Sequence, residues 1–205
     1  MSKNLLIIFV KNLIPGSVKT RLAEEIGIQG ALDVYQFLVE CTSDLSLDVT
    51  ADKVVYYSEY IELDDVFEKE IFTFQIQRGN TLGERMRNAF SDSFKSDYDK
   101  VVIIGSDCFE LKSDHVEEAF DHLDKHDVVI GPAKDGGYYL LGMKKEQPAL
   151  FENKTYSHDR VMKELLAVVG AQNLSFGLLP LLSDIDTLSD LKESNIDFEF
   201  VSEDE

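Results

Sequence analysis

Runs of consecutive apolar residues recur along the chain between polar and glycine-containing segments. Four runs are short and rich in β-branched or aromatic residues: 5–10, 53–58, 101–104 and 127–132. Short runs without alternation are typical of strands buried on both faces of a parallel sheet. Residues 71–76 alternate instead, which predicts a further strand. Residues 138–143 follow a glycine-rich turn and predict an antiparallel strand.

Segments with helical periodicity lie between these runs. Apolar residues recur every three or four positions over 31–47 and 114–125, and a helical pattern also begins at Leu22. We further expect an acidic surface helix over 59–70 and a helix over 157–169 with His158 and Asp159 in its first turn. Alternating strands and helices predict an α/β fold, a three-layer α/β/α sandwich with a mostly parallel sheet and one antiparallel strand.

Length and charge narrow the functional classes. The 205 residues, 44% of them apolar, are expected to form one domain over 1–205, with 197–205 as a loosely ordered acidic tail. A segment of about 20 apolar residues, as a membrane span requires, is absent, and the first apolar run is too short for a signal peptide, so a cytoplasmic protein is expected. A net charge of −19 makes nucleic acid a poor partner, whereas a small anion needs only a few local cations.

Asp107 follows the buried run 101–104 through Gly105 and Ser106. Ligands of open α/β sheets bind beyond the carboxyl ends of the strands, where a carboxylate can hold a hard cation against a phosphate. The alternative is structural: Asp107 caps the helix that begins near Ser113 or forms an Asx turn.

The segment after the first strand carries Lys11, Lys19 and Arg21 around the turn Pro15-Gly16. A glycine-containing loop between a strand and a helix exposes backbone N–H groups at the positive end of the helix, and the cations favour a phosphate site there. In the alternative interpretation the three cations form a solvated basic patch.

Three later segments carry further candidates. Arg78, Arg85 and Arg87 surround a predicted helix start, and either Arg85 or Arg87 should face the ligand edge of the sheet, with Arg87 favoured as a surface residue. Asp135-Gly136-Gly137 forms either an ordinary hairpin turn or a place where a ligand approaches the backbone and Asp135 faces a hydroxyl group.

The last segment contains Asp184 and Asp186, which alternation places on one face of an extended chain, so that one of them could complete a cation site with Asp107. Thr187 and Asp190 are explained as the N-cap and N3 residues of a helix.

These segments, in this order, resemble the nucleotide-diphospho-sugar transferase superfamily with its glycosyltransferase-A fold. More closely, the chain resembles the small bacterial glycosyltransferase-like family formerly called a domain of unknown function (DUF2064). Residues 9–22 match the motif Phe-x-Lys-x-Pro-x-Pro-Gly-x-Val-Lys-Thr-Arg-Leu, and residues 79–86 match Gly-x-x-Leu-Gly-x-Arg-Met. The remaining matches are Gly-[Ser/Thr]-Asp at 105–107, Gly-Pro-Ala-x-Asp-Gly-Gly-Tyr-Tyr-Leu at 131–140 and Asp-x-Asp-Thr-x-x-Asp-Leu at 184–191. Departures are Leu13 and Phe109, where proline is usual, and Tyr156, near the place of a usual tryptophan.

The resemblance implies a divalent cation, magnesium or manganese, held by Asp107 and Asp186 against the phosphates of a nucleotide. The implied phosphate-binding residues are Lys11, Gly16, Lys19, Arg21, Gly79, Arg85 and Ser106. The implied acceptor side consists of Asp135, Gly136, Gly137 and Tyr138, and the implied catalytic residues are Asp107, Asp135 and Lys19.

The expected activity is transfer of a glycosyl group from a nucleotide-diphospho-sugar to a small-molecule acceptor. Nucleotidyl transfer from a nucleoside triphosphate, with release of pyrophosphate, is the alternative, because three cations near one loop suit a triphosphate. A nucleotide-binding protein without turnover is the third possibility. The sequence leaves the oligomeric state open.

Overall fold

A seven-stranded mixed sheet organises residues 2–62, 64–152, 154–156, 158–194 and 196, which the computed structural model describes. The strands are β1 (Asn4–Val10), β2 (Asp52–Tyr57), β3 (Phe72–Ile76), β4 (Lys100–Ile104), β5 (Val128–Pro132), β6 (Tyr138–Met143) and β7 (Phe176–Leu178). Their spatial order is β3-β2-β1-β4-β6-β5-β7. Among these strands β6 runs antiparallel to both of its neighbours and the other pairs are parallel.

The helices cover both faces of this sheet. They are α1 (Thr20–Leu47), α2 (Leu82–Lys95), α3 (Ser113–Lys125), α4 (Val161–Ala171) and α5 (Leu188–Glu193), with a 3-10 turn at Pro148–Leu150. Leu6 and Ile8 of β1 pack in one core with side chains from α1 and α3, while Leu5 and Ile7 pack in the other with side chains from α2 and α4. Side chains of a strand alternate between faces, so the uninterrupted apolar run of β1 supplies both cores. The predicted α/β fold with one antiparallel strand is confirmed.

Two predicted helices differ from the structure. Residues 59–62 and 64–70 form bends and turns and no helix. Asp65 accepts hydrogen bonds from the hydroxyl group of Tyr57 and from the backbone N–H of Phe67, and such local side-chain bonds compete with helix formation. Helix α4 begins at Val161, so His158 and Asp159 precede it; Ser157, where the helix was predicted to begin, lies outside the described residues.

Strand β7 was not predicted, because it has three residues and glycine at its centre. The predicted acidic tail, 197–205, lies outside the described residues. No helix in the described part of the chain is both long and apolar enough to cross a membrane.

The parallel strands place several segments at one edge of the sheet. The carboxyl ends of β1, β2, β4 and β5 all point to this edge because these strands run in the same direction. The segment near Leu182 joins them, since Lys134 donates its backbone N–H to the carbonyl of Leu182 at 2.9 Å and Leu182 donates to that of Pro132 at 3.2 Å. The predicted site residues that follow β1, β4 and β5, and those of the segment after Leu182, therefore lie at this edge.

Candidate active site

Lys19 joins two carboxylates that are far apart in sequence. Its Nζ lies 3.2 Å from Oδ2 of Asp107 and 3.0 Å from Oδ1 of Asp186. The Lys19 side chain is 4% exposed, whereas those of Asp107 and Asp186 are 43% and 40% exposed. The ammonium group is therefore buried beneath two carboxylates that solvent reaches.

Lys19, Asp107 and Asp186 form a group that is called the lysine–carboxylate cluster below. Within it, the charged forms of Lys19 and Asp107 stabilise each other. Burial alone would lower the pKa of Lys19, but the carboxylates of Asp107 and Asp186 outweigh it and raise the pKa above its ordinary value. Burial would raise the pKa of Asp107, yet the adjacent Lys19 lowers it. Both groups are ionised near neutral pH. The side chain of Asp107 thus pairs with Lys19, while the N-cap position of α3 is occupied by Lys112, so Asp107 is not the N-cap of α3.

The backbone at Lys19 directs this side chain inward. Lys19 is the N-cap residue of α1 and adopts a left-handed conformation, with φ 46° and ψ 45°. Such a conformation is uncommon for a residue with a Cβ atom and marks a position fixed by its surroundings. The preceding Pro15-Gly16 turn, in which Gly16 has φ 78°, reverses the chain so that α1 begins beside the end of β4.

Backbone hydrogen bonds fix the segment 184–186 beside Asp107. Ile185 donates its backbone N–H to the carbonyl of Asp107 at 3.0 Å, and its side chain is buried in a small core with Leu22 and Leu191. Asp186 then follows as predicted from alternation, with its backbone N–H bonded to Asp190 of the Thr187 capping box.

The surroundings of Asp184, the other carboxylate of this segment, disfavour its charged form. Its Oδ1 atom is buried and accepts no hydrogen bond. Burial, followed by the nearby carboxylates of Asp107 and Asp135, raises the pKa of Asp184 to about 8. Asp184, Asp107 and Asp135 therefore lie close enough to interact electrostatically, although the last is in a different loop.

The other cations of the first loop are exposed above the cluster. Arg21 lies 3.8 Å from Oδ2 of Asp186 with 69% of its side chain exposed, and Lys11 is exposed but close enough to lower the pKa of Asp107. Both cations therefore lie beside the lysine–carboxylate cluster and remain exposed to solvent.

Ser106 differs from these residues because its hydroxyl group is buried. Its Oγ forms a 2.8 Å hydrogen bond with the hydroxyl of Tyr35, which also accepts the backbone N–H of Lys11 at 2.8 Å. Burial raises the pKa of Tyr35 to about 12. Ser106 thus ties the Asp107 loop to the Lys11 loop through α1.

The arginines of the second cationic segment, Arg78 and Arg85, differ in their contacts. Arg78 pairs with Asp92 on the surface. Arg85 is half-buried and donates from Nε to the carbonyl of Gly79 at 3.1 Å and from Nη1 to Gln77 at 3.3 Å. Gln77 donates in turn to the carbonyls of Val10 and Tyr56, so Arg85, rather than Arg78, is attached to the carboxyl ends of β1 and β2.

Gly79 is required by packing. It has φ 140°, and a Cβ atom there would lie 2.7 Å from Cβ of Glu84 and 2.9 Å from the backbone nitrogen of Arg85. The first turn of α2 therefore packs directly against the backbone of Gly79.

Other parts of the chain contact the turn between β5 and β6. Asp135 accepts the backbone N–H of Gly137 at 2.8 Å, which forms an Asx turn. Gly136 has φ 89°, and a Cβ atom on it would lie 2.2 Å from the carbonyl oxygen of Asp159. Tyr138 is half-buried, with its hydroxyl 3.7 Å from the sulfur of Met86. The group that approaches the Gly136 backbone is therefore the loop before α4.

Sequence reasoning missed three residues that position the site. Tyr35 falls within the helical periodicity of 31–47, which predicts a packing role, and its hydroxyl group is the sequence signal for a polar contact. Asn12 is buried, and its side-chain Oδ1 accepts the backbone N–H groups of Glu59 and Tyr60 at 2.9 and 3.3 Å. Nothing in the sequence indicates the role of Gln77 except that it is a polar residue directly after a strand.

Residues 43–158 match the family described as "Uncharacterized protein conserved in bacteria (DUF2064)". A crystal structure of a candidate nucleotide-diphospho-sugar transferase from Desulfovibrio desulfuricans G20 is 32% identical, covers 93% of this chain and 85% of its own, and superposes with a TM-score of 0.86. The 2-phospho-L-lactate guanylyltransferase of Methanocaldococcus jannaschii is 26% identical over 184 residues, which cover 86% of this chain and 76% of that protein.

A more distant structure has the same fold. A Mycobacterium tuberculosis protein crystallised with manganese is 12% identical and has a TM-score of 0.55, covering 94% of this chain and 97% of its own. The relatives named for an activity among these proteins carry transferase names, which confirms the prediction of a transferase of this superfamily. The chain belongs to the bacterial DUF2064 family and has the nucleotide-diphospho-sugar transferase fold.

Proposed function

We propose that this protein transfers a nucleotidyl group from a nucleoside triphosphate to a small-molecule acceptor. The observation that carries this proposal is the lysine–carboxylate cluster at the carboxyl end of β4. The cluster combines a buried cation with two exposed carboxylates, and the exposed cations Lys11 and Arg21 lie beside it at the same edge of the sheet. An open α/β sheet binds its ligands at this edge.

The donor set suits a hard divalent cation. Asp107 and Asp186 already share one positive group, and the buried Oδ1 of Asp184 has no hydrogen-bond partner. No group of three or more His, Cys, Asp or Glu residues within the described ranges is arranged to hold a metal ion by itself. Magnesium is usually bound by one or two carboxylates together with water and substrate phosphates, so the residues fit magnesium or manganese held by Asp107 and Asp186.

The residues of the site have distinct tasks in this reaction. Lys19, Arg21 and Lys11 bind phosphate oxygens and stabilise the negative charge that develops on the leaving pyrophosphate. Asp107 and Asp186 would hold a divalent cation, which would supply further neutralisation of that charge. The bond from the α-phosphorus to its bridging oxygen breaks as an anionic oxygen of the acceptor bonds to the α-phosphorus. Asp135, on the neighbouring turn, orients the acceptor.

Glycosyl transfer is the second candidate. The Desulfovibrio relative, at 32% identity, carries a nucleotide-diphospho-sugar transferase name, whereas the guanylyltransferase relative, at 26% identity, supports nucleotidyl transfer. The three cations near one loop favour the triphosphate, which carries more charge than a diphosphate sugar.

A thermal-shift panel tests the proposal. The four common nucleoside triphosphates and the corresponding nucleotide sugars are added separately, each with and without Mn²⁺. At 100 times its Kd, a triphosphate that needs Mn²⁺ should raise Tm by about 5–10 °C. Asp107→Asn, which keeps the side-chain size, should remove the metal-dependent part of that shift.

Turnover is then measured as pyrophosphate release with a series of phosphorylated and hydroxylated acceptors. A metal-dependent shift confined to nucleotide sugars, with nucleoside diphosphate as product, would support glycosyl transfer instead. Binding without any product would leave a nucleotide-binding protein.

A further inference from the structure

Lys19 lies between the carboxylates of Asp107 and Asp186, the two residues proposed to hold a metal ion. Its Nζ is 3.2 Å from one carboxylate and 3.0 Å from the other, and its side chain is almost completely buried. A divalent ion held by the same two carboxylates would be repelled by the ammonium group unless the Lys19 side chain moved away.

We propose that Lys19 fills the cation position of the ligand-free protein, so that a divalent ion enters only together with the phosphates of the nucleotide. This inference rests on the proposed function and adds a binding order to it. The metal–nucleotide complex, rather than free metal followed by nucleotide, is the species that binds.

The chemistry of the exchange follows from the hydrogen-bonding groups. An ammonium group has three donors and requires anionic acceptors, which Asp107 and Asp186 provide without ligand. Phosphate oxygens offer replacement acceptors for Lys19, and they also complete the oxygen ligands that two carboxylates alone cannot supply to the metal. Metal and phosphate therefore raise each other's affinity by the same factor.

The backbone conformation of Lys19 limits how this residue can move when metal and nucleotide bind. The left-handed conformation at the first residue before α1 fixes its Cα beside the carboxylates, so the exchange requires rotation of the side chain only. Arg21 is 69% exposed beside Asp186 and can meet phosphate oxygens without leaving a buried position.

The test measures binding of Mn²⁺ alone, by the electron paramagnetic resonance signal of free Mn²⁺, with no nucleotide present. Wild-type protein should bind Mn²⁺ only in the millimolar range, whereas Lys19→Met should bind it at least tenfold more tightly because the competing ammonium group is gone. Lys19→Met combined with Asp107→Asn should lose that gain. Lys144→Met is the matched control, since Lys144 pairs with Asp127 at the opposite edge of the sheet, and it should behave as wild type.

Lys19→Gly serves as a second variant, because glycine accepts the left-handed conformation at this position. It should show the same gain in Mn²⁺ affinity. Tight binding of Mn²⁺ by the wild type, or no gain in either folded variant, would overturn the proposal; if neither variant folds, the wild-type titration alone decides. A gain without any nucleotide binding would retain the Lys19 assignment and reject the nucleotide function.

Discussion

The loop that ends at Lys19 and the turn that contains Asp135 look alike in sequence but differ in their contacts. Both follow a buried strand, and both contain glycine and a charged residue. Lys19 reaches Asp107 and Asp186, which are 88 and 167 positions away in the chain. Asp135 instead bonds to Gly137, two positions away, and Gly136 packs against the backbone of Asp159. Glycine beside a strand end therefore indicates close approach, and the structure decides whether a ligand or the protein itself approaches.

The largest effect should come from Gly136→Ala, which tests the packing role of the turn. The new Cβ atom would lie 2.2 Å from the carbonyl oxygen of Asp159, and the residue would keep φ near 89°. Steric overlap with backbone and an unfavourable φ together should lower the free energy of unfolding by about 3–5 kcal/mol. Urea denaturation measures this change.

Gly137→Ala is the matched control for that variant. Its Cβ atom would lie 3.0 Å from Oδ1 of Asp135, which is a side-chain atom in an exposed residue and can move. The expected loss is below about 1 kcal/mol. Equal losses in the two variants would contradict the packing explanation.

The comparison also shows why the fold was more predictable than the site. Unbroken apolar runs identified β1, β2, β4 and β5 because a strand buried on both faces has no polar alternation. The helix predicted over 59–70 was wrong because Asp65 binds the nearby backbone N–H of Phe67 and because Asn12, from a distant segment, binds the backbone N–H groups of Glu59 and Tyr60. The contacts of Asn12 depend on its tertiary position, which periodicity does not reveal.

The places of single residues in the sheet could be predicted, but their network of contacts could not. Alternation separated the buried Ile185 from Asp184 and Asp186, and the end of the predicted strand placed Asp107 at the carboxyl edge of the sheet, while ligand binding there stays a prediction. The ion pairs of Lys19 with both carboxylates require three distant segments to meet, and the inward direction of Lys19 depends on its left-handed backbone. Neither property has a signal in residue spacing.

Asp184 connects the two regions electrostatically, and Asp184→Asn should therefore change stability with pH. Its pKa is about 8 in the folded protein, against about 3.9 for an unperturbed aspartate, so the folded state holds a proton that the unfolded state releases. Wild-type stability should consequently fall as pH rises from about 4 to 8. Asn carries no charge and removes this loss.

The measurement is urea unfolding in EDTA at pH 5 and at pH 8.5. Because Asp184 keeps partial contact with solvent, the advantage of Asp184→Asn over wild type should grow by about 1–3 kcal/mol between the two pH values. Asp190→Asn is the contrasting variant, since burial would raise the pKa of Asp190 but hydrogen bonds from Thr187 lower it. A constant difference between Asp184→Asn and wild type would show that Asp184 is ionised at both pH values.

The smallest effect concerns whether the second cationic segment belongs with the lysine–carboxylate cluster. Arg85 is tied through Gln77 to the ends of β1 and β2, whereas Arg78 pairs with Asp92 on the surface.

Arg85→Gln should weaken metal-dependent triphosphate binding about tenfold, or about 1.4 kcal/mol, through loss of one phosphate contact. Arg78→Gln should leave binding unchanged and lower stability by less than about 1 kcal/mol, as expected for an exposed ion pair. Isothermal titration calorimetry of both variants measures the difference. Equal affinities would place Arg85 outside the binding surface and leave phosphate recognition to the loop that ends at Lys19 and to Arg21 in the first turn of α1.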